Sequence, residues 1–120
     1  MPQQLTVLVL GTEDNSKLIN VIFELGLLPL RREKMFTALD KVRHEQFDAI
    51  FLDKNRKDVD DLEFILNIRD IGQHMPVIIL GNVANTRTRA VIQGQHNVFL
   101  LGEKSPDLKN EIRTIIDQAN

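Results

Sequence analysis

Residues 47 to 65 read FDAIFLDKNRKDVDDLEFI. A short apolar run ends on Asp53, a string of cations and anions follows, and apolar residues then return at helical spacing. A nearly continuous apolar run of this length reads as a strand buried on both faces, the kind that parallel sheets contain. Asp53 therefore sits where a buried strand leaves the core.

Four further apolar runs flank this one: LTVLVL (5 to 10), LLPL (27 to 30), PVIIL (76 to 80) and VFLL (98 to 101). The run containing Pro29 cannot donate to a ladder on both sides and leads straight into Arg31 and Arg32, which marks it as an edge strand. Helical spacing lies between the runs. Leu18, Ile22 and Leu25 share one stripe, Phe36 and Leu39 a second, Leu62, Ile65 and Ile68 a third, and Leu108, Ile112, Ile115 and Ile116 the clearest. Gly26 stands where the first helix should stop, and Ser105 before Pro106 reads as an N-cap followed by a favoured first helical residue. The segment 83 to 93 is the weakest helix, with Ala90 and Val91 as a thin apolar face and a start expected to fray. Strand and helix thus alternate five times. That order predicts an α/β fold with a parallel sheet covered by helices on both faces, since crossovers between parallel strands are right-handed. An edge position for the second strand selects the flavodoxin-like order 2-1-3-4-5, in which ligands collect beyond the carboxyl ends of strands 1 and 3.

The chain has 120 residues, of which 42% are hydrophobic and 27% charged, with no linker-like tract, so residues 1–120 are expected to form a single domain. Fifteen basic residues against seventeen acidic ones leave a net charge of -2, which gives no field to attract nucleic acid or anionic lipid. Direct nucleic-acid binding and membrane association are not expected. The absence of cysteine excludes disulfides and thiolate metal sites. No apolar run approaches a membrane span, and MPQQLTVLVLG lacks a signal-peptide pattern, so the cytoplasm is the expected location.

Other features carry less. Gly11 between a strand and a helix invites a phosphate-binding reading, but GTEDNS has one glycine and two carboxylates where a dinucleotide fingerprint needs three spaced glycines. His44, His74 and His96 share no metal-ligand spacing. No serine, histidine and aspartate arrangement can be specified. Phe23, Phe36, Phe47, Phe51, Phe64 and Phe99 are expected in the core, without the interleaved cations of a base-stacking platform.

The stretch DKNRKDVDDLEFILNIR resembles the segment of two-component response regulator receiver domains (CheY-like) that starts at the phosphoacceptor aspartate and runs into the third helix. Asp53 matches the acceptor, and Asp60, Leu62, Glu63, Phe64 and Arg69 fit the sequel. MPVIILGN resembles the fourth strand and the start of its switch loop, and QGQHNVFLL the approach to the fifth strand, so the likeness spans the chain. The resemblance implies a five-stranded CheY-like sheet and transfer of a phosphoryl group from a histidine kinase to Asp53. It also implies helpers: an acidic pair after strand 1 to hold Mg²⁺, a hydroxyl residue after strand 4 and a lysine after strand 5, because Mg²⁺ needs hard oxygen ligands and a transferring phosphoryl group needs compensating cations.

Those helpers are missing from their places. Gly11 and Thr12 occupy the acidic-pair positions, with Glu13 and Asp14 next as displaced stand-ins; Gly81 holds the hydroxyl position; Lys104 comes two or three residues late. Arg56 and Lys57 replace a Met-Pro pair, and Asp61 replaces a glycine. The chain thus resembles a degenerate receiver, a pseudo-receiver, in which Lys54, Arg56, Lys57 and Lys104 stand in for metal and phosphate beside Asp53, unless the loop cations are merely solvated. The expected role is a regulatory module, not an enzyme, with weak or no Mg²⁺-dependent phosphorylation, acting on a protein partner or an attached output domain such as a DNA-binding transcription regulator. No cofactor is expected, Mg²⁺ binding at Glu13, Asp14 and Asp53 being tied to retained phosphorylation. Two alternatives stay open: a working phosphoacceptor served by a histidine kinase, and a small-ligand sensor using the same crevice. A homodimer through the fourth helix, fifth strand and fifth helix would set Arg87 and Arg89 against Asp107, Glu111 and Asp117, with ordinary solvated faces as the competing reading.

Overall fold

A computed structural model describes residues 4–11, 16–53, 61–81, 86–102 and 104–119. In chain order the elements are β1 (Thr6–Leu10), α1 (Ser16–Glu24), β2 (Leu28–Arg32), α2 (Met35–His44), β3 (Ala49–Asp53), α3 (Asp61–Asp70), β4 (Val77–Leu80), α4 (Thr86–Gln93), β5 (Val98–Leu101) and α5 (Leu108–Ala119). All strand pairs are parallel, in the order β2-β1-β3-β4-β5.

Alternation of side chains along the strands divides the core into two layers. Leu8, Leu10, Ile50, Leu52, Val77 and Ile79 face Ala38 and Val42 of α2, Phe64, Ile65 and Ile68 of α3, and Ile92 of α4. Val7, Val9, Ala49, Phe51, Ile78 and Leu80 face Leu18 and Ile22 of α1 and Leu108, Ile112, Ile115 and Ile116 of α5. Burial on both faces explains why β1, β3 and β4 read as unbroken apolar runs.

The edge position of β2 has a hydrogen-bond origin. The Leu28 N–H donates to the Leu5 carbonyl at 2.9 Å, so by alternation the nitrogen of Pro29 faces away from β1, where a missing donor leaves no ladder bond unmade. The strand is also displaced from its expected span and carries Arg31 and Arg32 within it. Helix α1 stops where Gly26 adopts φ 76°. Its N–H bonds the Phe23 carbonyl at 3.0 Å, and that of Leu27 bonds the Ile22 carbonyl at 3.1 Å, the paired bonds of a Schellman cap. The Ser105 Oγ accepts from the Asp107 N–H at 3.3 Å, but α5 starts at Leu108, so Ser105 and Pro106 form the turn ahead of the helix instead of its cap and first residue.

Two expectations fail on helical phase. Phe36 is 78% exposed and Phe23 58% exposed, so neither is a core residue. The inward stripe of α2 is Met35, Ala38, Leu39 and Val42, spaced i, i+3, i+4, i+7, and Phe36 lies off it. On α4, Ala90 and Val91 face outward and Ile92 is the buried anchor.

Candidate functional site

At the carboxyl end of the sheet, β3 ends on Asp53, which is only 2% exposed and pairs in register with Leu80 of β4. Leu10 pairs with Leu52, so Gly11 follows β1 to the level of Asp53 on the face covered by α1 and α5. Its N–H continues the ladder to the Arg32 carbonyl at 2.9 Å. A Cβ placed on Gly11 would meet the Cβ of Asp53 at 3.0 Å and its Oδ2 at 3.4 Å. Neighbouring strands ordinarily run about 4.8 Å apart. A side chain at position 11 would thus start in tight contact with Asp53, closer than side-chain carbons ordinarily come.

The position after β4 is likewise fixed by its backbone. Gly81 has φ 116°, a conformation that a residue with a Cβ rarely adopts, and its N–H donates to the Leu101 carbonyl at 3.1 Å. A serine or threonine there would be strained. After β5, Lys104 is exposed within a turn closed by the Ser105 N–H and the Gly102 carbonyl at 3.1 Å. Thr12, Glu13 and Asp14, and the cations Lys54, Arg56 and Lys57, lie outside the described residues. Among the described residues no group of three His, Cys, Asp or Glu side chains is placed to hold a metal ion.

The proposed pairing residues are dispersed. Arg87 and Arg89 are exposed on α4, and Asp107 is exposed ahead of α5. Glu111 is half-buried and accepts the Ser105 hydroxyl proton in a hydrogen bond, while Asp117 lines a cavity shared with Leu5, Leu25 and Leu27. Two residues carry more than the sequence disclosed. Asp61, in the first turn of α3, is 4% exposed and is the other buried charged residue among those described; a carboxylate is favoured there by the positive end of the helix dipole.

Arg69 closes the opposite end of the sheet. Its Nη1 donates to the carbonyls of Gln73 and Met75, both at 3.0 Å, and its Nη2 to those of His96 at 3.0 Å and Asn97 at 3.3 Å. Burial pushes its pKa below the ordinary arginine value. The signal that could have found this clasp is an arginine in the last turn of a helix whose apolar stripe points inward.

No helix among the described residues is long and apolar enough to cross a membrane. Together, the sheet order, the helices on both faces and an aspartate ending the central strand define the CheY-like receiver fold. In sequence the chain matches no protein-family model and no curated protein. In structure it is similar to many receiver domains over nearly its whole length. One is a CheY-like receiver domain protein from Methanospirillum hungatei, 14% identical with a TM-score of 0.75, covering 98% of this chain and 97% of that one. Another is the receiver domain of NtrC4 from Aquifex aeolicus, 19% identical with a TM-score of 0.72, covering 99% and 100%. A third is the receiver domain of a sensor histidine kinase from Pseudomonas aeruginosa, which has a magnesium ion coordinated in its active site cleft; it is 21% identical with a TM-score of 0.75, covering 98% and 97%.

Proposed function

We propose that this chain is a pseudo-receiver: a signal-transduction module that controls a protein partner or an attached output domain through its surface, without a Mg²⁺-dependent phosphorylation cycle. The observation that carries the reading is the 3.0 Å approach of a Cβ at position 11 to the Cβ of Asp53. A receiver needs a carboxylate projecting from this position and room for a hydrated metal beside the acceptor. Position 11 here carries no carboxylate and lies tight against Asp53, and Gly81, at φ 116°, carries no hydroxyl to sense a phosphoryl group; both support the reading. The acceptor's burial adds to this, since a phosphodonor must reach the carboxylate in line. The module is then regulatory rather than catalytic, and its output depends on partner binding instead of covalent modification.

The test is incubation with acetyl phosphate and Mg²⁺, followed by intact-mass measurement and by NMR titration of the amides near Asp53. Unchanged mass and no saturable Mg²⁺ shifts are expected. Rapid labelling that disappears in Asp53→Asn would overturn the proposal and restore the working phosphoacceptor.

A further inference from the structure

At the end of the sheet opposite Asp53, Leu5, Leu25, Leu27 and Ile116 line a cavity of about 270 Å³, with Arg113 and Asp117 of α5 completing its wall. The aliphatic wall is held in place from several sides. Leu27 and Ile116 are buried, at 5% and 4% exposure. Leu5 is tied to β2 through its carbonyl, and Leu25 and Leu27 flank the capping Gly26. An exposed ion pair between Lys109 and Glu24 at 3.4 Å links α5 to the end of α1. The cavity is therefore set by the fold and does not have to be opened by its occupant.

Its charges select the occupant. Arg113 and Asp117 are exposed and stand four residues apart on one helix, yet among the described residues neither has an ion-pair partner. A fatty acid would bring its carboxylate close to Asp117, and an aliphatic amine would bring its ammonium close to Arg113. A zwitterion with a branched alkyl chain satisfies both charges and fills the apolar wall. The volume lies just under the range of about 300 to 1,000 Å³ that drug-sized ligands occupy. We propose that this cavity binds a free branched-chain α-amino acid such as leucine, its carboxylate toward Arg113 and its ammonium toward Asp117. The proposal is independent of the state of Asp53, which lies at the other end of the strands.

The experiment is an NMR titration of the whole chain with leucine, 4-methylpentanoate, isopentylamine, N-acetyl-leucinamide and serine. Leucine should give saturable shifts centred on Leu5, Leu25, Leu27, Ile116 and their neighbours, with a dissociation constant in the millimolar range. Rim charges of this exposure change affinity by up to about fivefold each. The acid and the amine should therefore bind up to about fivefold more weakly than leucine, and serine not at all. Arg113→Gln should abolish the advantage of leucine over the amine, and Asp117→Asn its advantage over the acid. Both positions are exposed, so the variants should fold, and circular dichroism checks that they do. The absence of saturable shifts overturns the proposal. So does equal binding of N-acetyl-leucinamide, which would make the cavity an anchor for a leucine side chain of a protein partner, or a response confined to the Asp53 end.

Discussion

A side chain at Gly11 would start about 3.0 Å from the Cβ of Asp53 on the neighbouring strand, tighter than side-chain carbons ordinarily pack. Gly11→Ala should lower stability by about 1–3 kcal/mol, the usual range for overpacking a tight site. Asp53→Gly in the same chain removes the Cβ that the alanine meets at 3.0 Å, and should restore most of that difference. Urea unfolding reads both variants as shifts in midpoint at constant slope; an alanine tolerated without loss would mean the loop relaxes away from Asp53. The missing carboxylate at position 11 was legible in the sequence, whereas the close approach was not. Nothing local to GTEDNS encodes a distance between two strands that lie far apart in the chain. The positive φ of Gly81 was hidden for a similar reason, since its glycine read equally well as a lost hydroxyl. Asp53 itself was legible because a buried strand ending on a carboxylate contradicts the pattern around it.

Helix stripes were legible where aliphatic residues repeat without competitors, as on α5, and failed where an aromatic residue offered a false phase. On α2 Phe36 pairs with Leu39 at i, i+3, but Leu39 belongs to the stripe of Met35, Ala38 and Val42, which the more hydrophobic Phe36 masks. On α4 the single anchor Ile92 gives no repeat to recognise beside the two outward residues Ala90 and Val91. Between elements, Arg69 joins the end of α3 to the approaches of β4 and β5 through four carbonyls. Arg69→Met keeps much of the apolar stem and removes every donor. It should lower stability by about 2–4 kcal/mol, since a hydrogen bond to a charged group contributes about 1.5–3 and four from one side chain do not add. Arg69→Lys should recover only part of this, because an ammonium cannot fork across two pairs of acceptors. The pH dependence has a definite sign. A base whose folded pKa lies below its unfolded one binds more protons when unfolded, so stability rises with pH between the two values. For arginine that window lies far above neutrality, so the stability difference between the native chain and the Arg69→Met variant should be flat across the ordinary pH range in thermal or urea melts.

For the whole molecule, the strand order and both helix layers were legible, because five alternations and one badly placed proline leave few topologies. The pairing face was less so, since charge at a sequence position does not say which seam of a helix it borders. With Glu111 held by Ser105 and Asp117 at the α1–α5 seam, the anion left for a second copy's Arg87 or Arg89 is Asp107. Val91, 43% exposed on α4, would supply the apolar contact of such a face. Light scattering over a concentration series should find a weak dimer that Val91→Glu abolishes, that Arg87→Glu weakens and that added Asp107→Arg partly restores. Salt should loosen it only modestly, as exposed pairs contribute about 0–1 kcal/mol each. A monomer at every concentration removes the face. The outward nitrogen of Pro29 bears on a different kind of assembly. Growing a filament by strand addition requires two receptive borders on every copy, one to accept and one to offer. The β5 border, Val98 to Leu101, contains no proline, but the β2 border lacks a donor at Pro29 and presents the exposed charge of Arg31 beside it. Two copies joined edge to edge through β5 would thus offer further copies only the β2 border, short of one donor and charged, so that one imino acid works against growth of a polymer.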